Sequence, residues 1–304
     1  MTTVEVIYPG PLTTIQDLGR PGWAHIGVPR SGAADRESLK LANRLVGNDE
    51  GAAALETTLA GPRLLFNADA RVALTGAEVS PRLDERLVPM NSAIEVHAGE
   101  ILKVGNARLG LRTYIAFTGG IDGPLVLGSA ATDTLTGLGP APLVRGQILS
   151  LAGRQSSGCA AGREPRAGGS AAGREPKALD SAAAPEPGAP ALLQVIPGPR
   201  DDWFTTEAIT RLTTEPFTVT PASNRVGLRL DGPPLERART DELLSEGLVP
   251  GAIQVPAGGQ PILLLADHPT TGGYPVIAVV LDSDLPIAAQ LRPGQQLRFT
   301  NANR

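Results

Sequence analysis

The chain has a single cysteine, Cys159, in 304 residues. That excludes an intramolecular disulfide and every zinc site built on paired cysteines. Its three histidines, His25, His97 and His268, lie far apart in the sequence and give no His-rich metal centre. Only 3% of residues are aromatic, too few for base-stacking platforms. Charge of one sign is lacking too: the net charge of −4 supplies no field for nucleic acid or an acidic membrane. No stretch approaches the ~20 apolar residues of a membrane span. The start, Met1 to Glu5, has neither the basic nor the apolar region of a signal peptide. A soluble cytoplasmic protein is expected. Motifs are missing as well. No lysine follows a glycine, so there is no phosphate loop, and G-x-S-x-G, G-x-G-x-x-G and H-E-x-x-H are absent. Lys40, Lys103 and Lys177 are the only lysines, and none sits in an Ala-Met-Lys-Met setting, so the chain carries no biotin of its own.

What the chain has in quantity is turn chemistry, with 36 glycines and 28 prolines. Spread over this length, they predict many short strands rather than long helices. Residues 152–191 are dominated by Ala, Gly, Pro and Ser and contain Ala-Gly-Arg-Glu-Pro twice, at Ala161–Pro165 and Ala172–Pro176. Such a segment buries too little to offset its ordering entropy and reads as a linker or expanded loop. Cys159 falls inside it, which argues against a catalytic thiol. Two lobes remain, 1–151 and 192–304, both β-rich. Arg112–Phe117, Ile262–Leu265 and Val276–Leu281 have strand composition. Helices are few. Asp35 is an N-cap for Arg36–Val46, with Gly47 to stop it, and Asp201 or Asp202 opens a second helix over Trp203–Leu212. Asp284, followed by Pro286, opens a single turn. The expected class is all-β with a few short helices.

Four polar, glycine-punctuated clusters stand out: Thr13–Gly22, Gly27–Asp35, Ser223–Leu230, and Gly251–Pro261 continuing through Ala266–Pro275. Glycine lets backbone approach a ligand closely, yet tight turns in a β fold account for the same pattern. Asp267 either acts chemically or caps the Thr270–Gly273 turn. Arg229 either binds a ligand or pairs with Asp231 at the surface. Tyr274 either relays a proton or is a core residue with its hydroxyl at the rim. Gln16, Asp17 and Arg20 read as loop-holding residues or as part of a partner interface, and Ser31 and Asp35 as servants of the first helix.

The segments TIQDLGRPG, GVPRSGAAD, LANRLVGN, LETTLAGP, YIAFTGGID, NRVGLRL, GAIQVPAGGQPILLLAD and TTGGYP, in this order, resemble a carboxyltransferase-type family. It includes allophanate hydrolase subunit 2, the C component of bacterial 5-oxoprolinase and a domain of urea carboxylase. The resemblance covers nearly everything outside 152–191. It implies two cyclophilin-like β-barrel domains. It also implies two partners, a homologous B component (of the allophanate hydrolase subunit 1 type) and a LamB/YcsF-type A component. The implied activity is ATP-dependent opening of 5-oxo-L-proline to L-glutamate, with ATP as co-substrate of the complex. The alternatives are the carboxyltransferase part of a biotin-dependent urea-type carboxylase, or a non-catalytic partner of a kinase-inhibitor protein. In that chemistry Arg225, Asp267 and Tyr274 are the expected catalytic residues. Gln254, Gln260, Arg229, Thr270, Thr271, Gly272 and Gly273 would hold the substrate, the Thr271–Gly273 backbone N–H groups serving as an oxyanion site. The chain departs from the family's usual pattern at His268-Pro269, where relatives carry Arg-Gln, and at Ala130-Ala131, where they carry an arginine.

Overall fold

A computed structural model describes residues 2–153 and 189–302. Cys159 and both pentapeptides lie outside the described residues. The mostly-β reading is borne out, and no helix among the described residues is long and apolar enough to cross a bilayer.

The N-terminal lobe is built from two sheets. One has seven strands, ordered Ile121–Asp122, Ile148–Leu151, Thr3–Tyr8, Arg63–Phe66, Ile101–Lys103, Arg82–Leu83 and Arg86–Leu87. The other has five: Thr13–Gln16, Ala54–Thr58, Leu109–Phe117, Ala70–Glu78 and Ala93–Val96. Apolar side chains alternate inward along both, and Val4, Val6, Leu64, Phe66, Leu74, Ile115 and Phe117 fill the space between them.

Helix α1 (Arg36–Val46) forms as its sequence dictates. The Asp35 carboxylate accepts from the Ser38 amide at 3.0 Å, and Gly47 ends the helix in the left-handed conformation. Its Leu39, Ala42 and Val46 pack on Ala73, Tyr114 and Ala116, the second face of the five-stranded sheet. Strand Leu109–Phe117 is therefore covered on both sides, which is why it is buried nearly end to end.

The C-terminal lobe closes into a seven-stranded barrel: Ala191–Pro197, Val276–Val280, Ala252–Gln254, Ile262–Leu264, Gly227–Asp231, Phe217–Val219 and Gln296–Asn301. The last strand pairs with the first in parallel, Ala191 opposite Leu297, so the barrel has no free edge. Phe217, Phe299, Leu263 and Ile277 fill it. Helix α2 (Thr206–Thr214) begins later than the sequence implied. Thr205 rather than Asp201 or Asp202 caps it, accepting from the Ala208 amide at 3.1 Å, and the two aspartates open a separate 3-10 turn over Asp201–Trp203. A small two-stranded antiparallel sheet, Glu246–Gly247 with Thr271–Gly272, stands outside the barrel.

Candidate functional site: a buried ionic seam between the lobes

Two of the glycine-punctuated clusters meet first within the N-terminal lobe. The Ala33 amide donates to the Asp17 carbonyl and the Arg20 amide to the Arg30 carbonyl, so Thr13–Gly22 and Gly27–Asp35 run side by side. Gly32 has a φ of +90°, and a side chain there would meet the Gly19 nitrogen at 2.6 Å. Only glycine fits this approach. Asp17 accepts from Gly19 N, Ser129 Oγ and Ala130 N, each at 2.7 Å. Gln16 donates to the Thr132 carbonyl, and Arg20 to the Ala131 carbonyl. These three residues hold the Val126–Thr132 loop, the structural role their sequence context favoured.

That arrangement presents the Gly32 carbonyl, Ser31 and the Thr134 turn to the second lobe, where Arg225 and Asp267 wait. Arg225 Nε and Nη2 grip the two oxygens of Asp267 at 2.8 and 2.9 Å. Its Nη2 also donates to the Gly32 carbonyl at 2.6 Å, and Nη1 donates to Glu56 Oε1. Asp267 further accepts from Ser31 Oγ at 2.6 Å and from the Thr134 hydroxyl and amide at 2.7 and 3.0 Å. Glu56 accepts from the Tyr114 hydroxyl at 2.7 Å and the Ala34 amide at 3.0 Å, with Arg112 Nε at 3.5 Å. The side chains of Arg225, Glu56 and Asp267 are 2, 1 and 0% exposed. A second tie runs beside the first: Gln290 donates to Asp35, and Arg112 donates to the Ala289 carbonyl.

Burial opposes ionisation of Glu56 and Asp267, but the Arg225 guanidinium and the hydrogen bonds outweigh it and hold both carboxyls below their usual range. Burial likewise opposes the charge on Arg225, and its two carboxylate partners hold its pKa above normal. Asp35 goes the other way, raised by burial. The sign for stability follows. Depressed carboxyls bind protons less readily folded than unfolded, so their contribution is complete above the unfolded values of 4.5 and 3.8 and fades as pH falls through the folded ones. Asp35 acts oppositely, weakening the fold as pH rises through its raised value. From pH 6 to pH 4.5 the two depressed carboxyls contribute no slope, and below it they outweigh Asp35, so the urea midpoint is expected to fall from pH 4.5 to pH 3. A midpoint that stayed level or rose over that range would contradict the ionic assignment.

The remaining expected site residues scatter. Asp267 does not cap the Thr270–Gly273 turn. Arg229 is exposed on strand Gly227–Asp231, with no ion pair to Asp231 among the described residues. Gln254 donates to the Tyr274 carbonyl at 3.1 Å, and Gln260 to the Gly232 carbonyl at 3.1 Å, leaving Gln260 Oε1 buried without a partner. Thr271 and Gly272 lie in the small two-stranded sheet, where the Gln254 amide nitrogen would be 2.9 Å from any Cβ at Gly272. The Thr270 carbonyl accepts from the Leu248 amide, Gly273 is exposed, and Tyr274 is half exposed at the rim. A cavity of about 590 Å³ opens over the seam, lined by Arg112, Thr134, Ser223, Asn224 and Arg225 among others.

Sequence reasoning missed Glu56, Arg112, Tyr114, Thr134 and Gln290. One signal was available: Arg112 and Tyr114 are two apart on a strand and share a face, and Glu56 is the cross-strand neighbour of Tyr114.

Residues 26–301 match the family described as carboxyltransferase domain, subdomain A and B. The chain is 36% identical to the C component of 5-oxoprolinase from Escherichia coli, over 99% of this chain and 91% of that protein. It is 33% identical to urea amidolyase of Saccharomyces cerevisiae, over 98% of this chain but 16% of that protein. The crystal structure of the K. lactis urea amidolyase superposes with a TM-score of 0.85 at 33% identity, covering 99% of this chain and 19% of that one. Similarity that spans both lobes places the chain in the carboxyltransferase-domain family, subdomains A and B together.

Proposed function

We propose that this chain is the C component of a multi-component enzyme that opens 5-oxo-L-proline to L-glutamate with ATP as co-substrate. The observation that carries this is the reciprocal coverage of the E. coli 5-oxoprolinase component, 99% of one chain and 91% of the other. The urea amidolyase match uses only 16% of its protein.

A lactam resists hydrolysis because its amide is resonance-stabilised and its nitrogen leaves poorly. Phosphorylating the lactam oxygen with ATP removes that resonance. Water then adds to the lactam carbon, the C–N bond breaks and the nitrogen takes a proton to become the amine of glutamate, which leaves an acyl phosphate; a second water displaces phosphate from it to give the side-chain carboxylate. We place the substrate in the region where the lobes meet. Arg225 has four hydrogen bonds inside the protein. Its part, with Asp267, is to position Thr134 and the Ser223–Asn224 turn rather than to grip substrate. Tyr274, half exposed at the rim, is the group free to move a proton, with Gly273 beside it. Gln254 orients that loop through the Tyr274 carbonyl. The partners would be a homologous B component and a LamB/YcsF-type A component, in the cytoplasm.

The test is ATP-dependent glutamate release by the assembly reconstituted from all three proteins. Turnover is expected to vanish when this chain is omitted and to fall about 100-fold in Tyr274→Phe, at the low end of general acid–base contributions. Turnover that persisted without the chain would leave it as a regulatory partner. Carboxylation of urea with a biotin carrier, and no action on 5-oxoproline, would instead establish the carboxyltransferase reading.

A further inference from the structure

A second cavity, of about 480 Å³, lies between the first two turns of α1 and the Asp282–Pro286 corner of the C-terminal lobe. Its size falls within the roughly 300–1,000 Å³ of small-molecule sites. Ala33, Leu265, Leu285 and Pro286, drawn from both lobes, give it an apolar floor. Its charged lining consists of Arg36, Glu37, Lys40 and Asp282.

These four charges are not equivalent. Lys40 and Glu37 neutralise each other at 2.8 Å. Arg36, half buried, has no hydrogen bond and no ion pair among the described residues. Its position is unfavourable in three respects. Burial opposes its charge, the nearby Arg30 repels it, and it stands on the first turn of a helix, whose positive pole repels cations. Asp282 and Glu37 offset this only in part. A guanidinium presents five donors in a planar fork, matched to the two oxygens of a carboxylate. Arg36 thus lines an apolar-floored cavity with its fork unused. The walls touch the seam on both sides, since Leu265–Ala266 lead into Asp267 and the Ala34 amide donates to Glu56.

We propose that this cavity binds a small carboxylic acid with a compact apolar body, its carboxylate paired with Arg36 and its carbon skeleton resting on Leu265, Leu285 and Pro286. Identification of that acid as 5-oxoproline or its product glutamate rests on the proposed function; the carboxylate site itself does not.

The experiment is calorimetric titration of the full chain with 5-oxoproline, with glutamate, and with 2-pyrrolidinone, the same lactam ring without its carboxylate. At least one of the acids is expected to bind, and pyrrolidinone at least tenfold more weakly. Arg36→Gln is expected to weaken acid binding ten- to a hundredfold with no loss of thermal stability, and Arg36→Lys to restore only part of it. Acid binding unaffected by Arg36→Gln, pyrrolidinone binding as tight as the acids, or no acid binding at 10 mM (~100-fold above a typical micromolar-range KM) would each overturn the site. Turnover by the assembled enzyme is scored separately. Arg36-dependent binding without turnover keeps the site and removes the oxoprolinase reading; turnover without such binding does the reverse.

Discussion

Arg225→Ala is expected to destabilise the protein by about 3–5 kcal/mol, the loss that follows when one partner of a buried ion pair is removed. Total stability is commonly only about 5–15 kcal/mol, so the variant would sit near the edge of folding. The size of the effect comes from what is left behind. Asp267 and Glu56 are sealed from solvent, and without Arg225 the first keeps only hydroxyl and amide donors, the second only Tyr114, Ala34 and a distant Arg112. Two carboxylates would then face each other in a medium that solvates neither, and the Gly32 carbonyl would lose its donor. Arg225→Lys should recover little, because an ammonium cannot hold both oxygens of Asp267 and reach Glu56 and Gly32 from one plane. Replacing the pair together, as Arg225→Met with Asp267→Asn, should recover part of the loss by removing one stranded carboxylate while Glu56 stays charged opposite Arg112. Urea denaturation of the folded chain measures all three. A loss below about 1 kcal/mol for Arg225→Ala, the size of an exposed pair, would mean that water reaches the seam. The result also governs how activity data are interpreted, because lost turnover in an Arg225 or Asp267 variant reports on the seam before it reports on chemistry.

The parts of the fold that local chemistry controls were legible in the sequence. Asp35, the apolar face of Leu39, Ala42 and Val46, and Gly47 give the start, side and end of α1 without reference to anything distant. Helix α2 was misplaced by several residues because Asp201, Asp202 and Thr205 all offer capping oxygens. Tertiary contacts choose between them: the buried Trp203 and Phe204 fix the 3-10 turn in the core and leave Thr205 to begin the helix. The seam was half legible. Arg225 and Asp267 stand out in the sequence as candidate catalytic residues, and the structure joins them to each other. Their partner Glu56 lies 169 residues from Arg225, and no periodicity connects residues at that separation. Tyr114 was hidden by its setting, since a tyrosine in a strand of apolar neighbours reads as core, and its hydroxyl bridge from Glu56 to the Asp35 amide appears only once α1 is laid on the sheet. Arg36 was overlooked for the opposite reason. An arginine on the first turn of a helix reads as a solvated surface charge until the second lobe closes over it.

Gln290→Ala is expected to cost about 2–5 kcal/mol, although the residue carries no charge and lies in a short helical corner of the C-terminal lobe. The strand Leu109–Phe117 pairs with Ala70–Glu78, but its register breaks between Leu109 and Thr113. Over that break the Leu111 and Arg112 amides have no ladder partner on that side, and the Gln290 side-chain oxygen takes their place, accepting from both at 2.9 Å. Its amide nitrogen completes the bridge, donating to the Arg112 carbonyl at 3.0 Å and to Asp35 at 2.7 Å. All four hydrogen-bonding sites of the glutamine are thus used across the lobe interface. Alanine strands two buried N–H groups, each costing about 1–3 kcal/mol, and leaves a cavity too polar to stay empty without penalty. Water entering that space could satisfy the amides and bring the loss toward the lower figure. Gln290→Glu is the informative companion. It keeps an acceptor for both amides but sets a carboxylate against Asp35, so its deficit should shrink as the solution is acidified, whereas that of Gln290→Ala should not. Hydrogen exchange provides the local check, with the Leu111 and Arg112 amides exchanging faster in Gln290→Ala while those in the barrel core, such as Ile277, keep their protection relative to global stability. Unchanged exchange at both positions would show that the strand finds those partners within its own lobe, and would overturn the bridging role of Gln290.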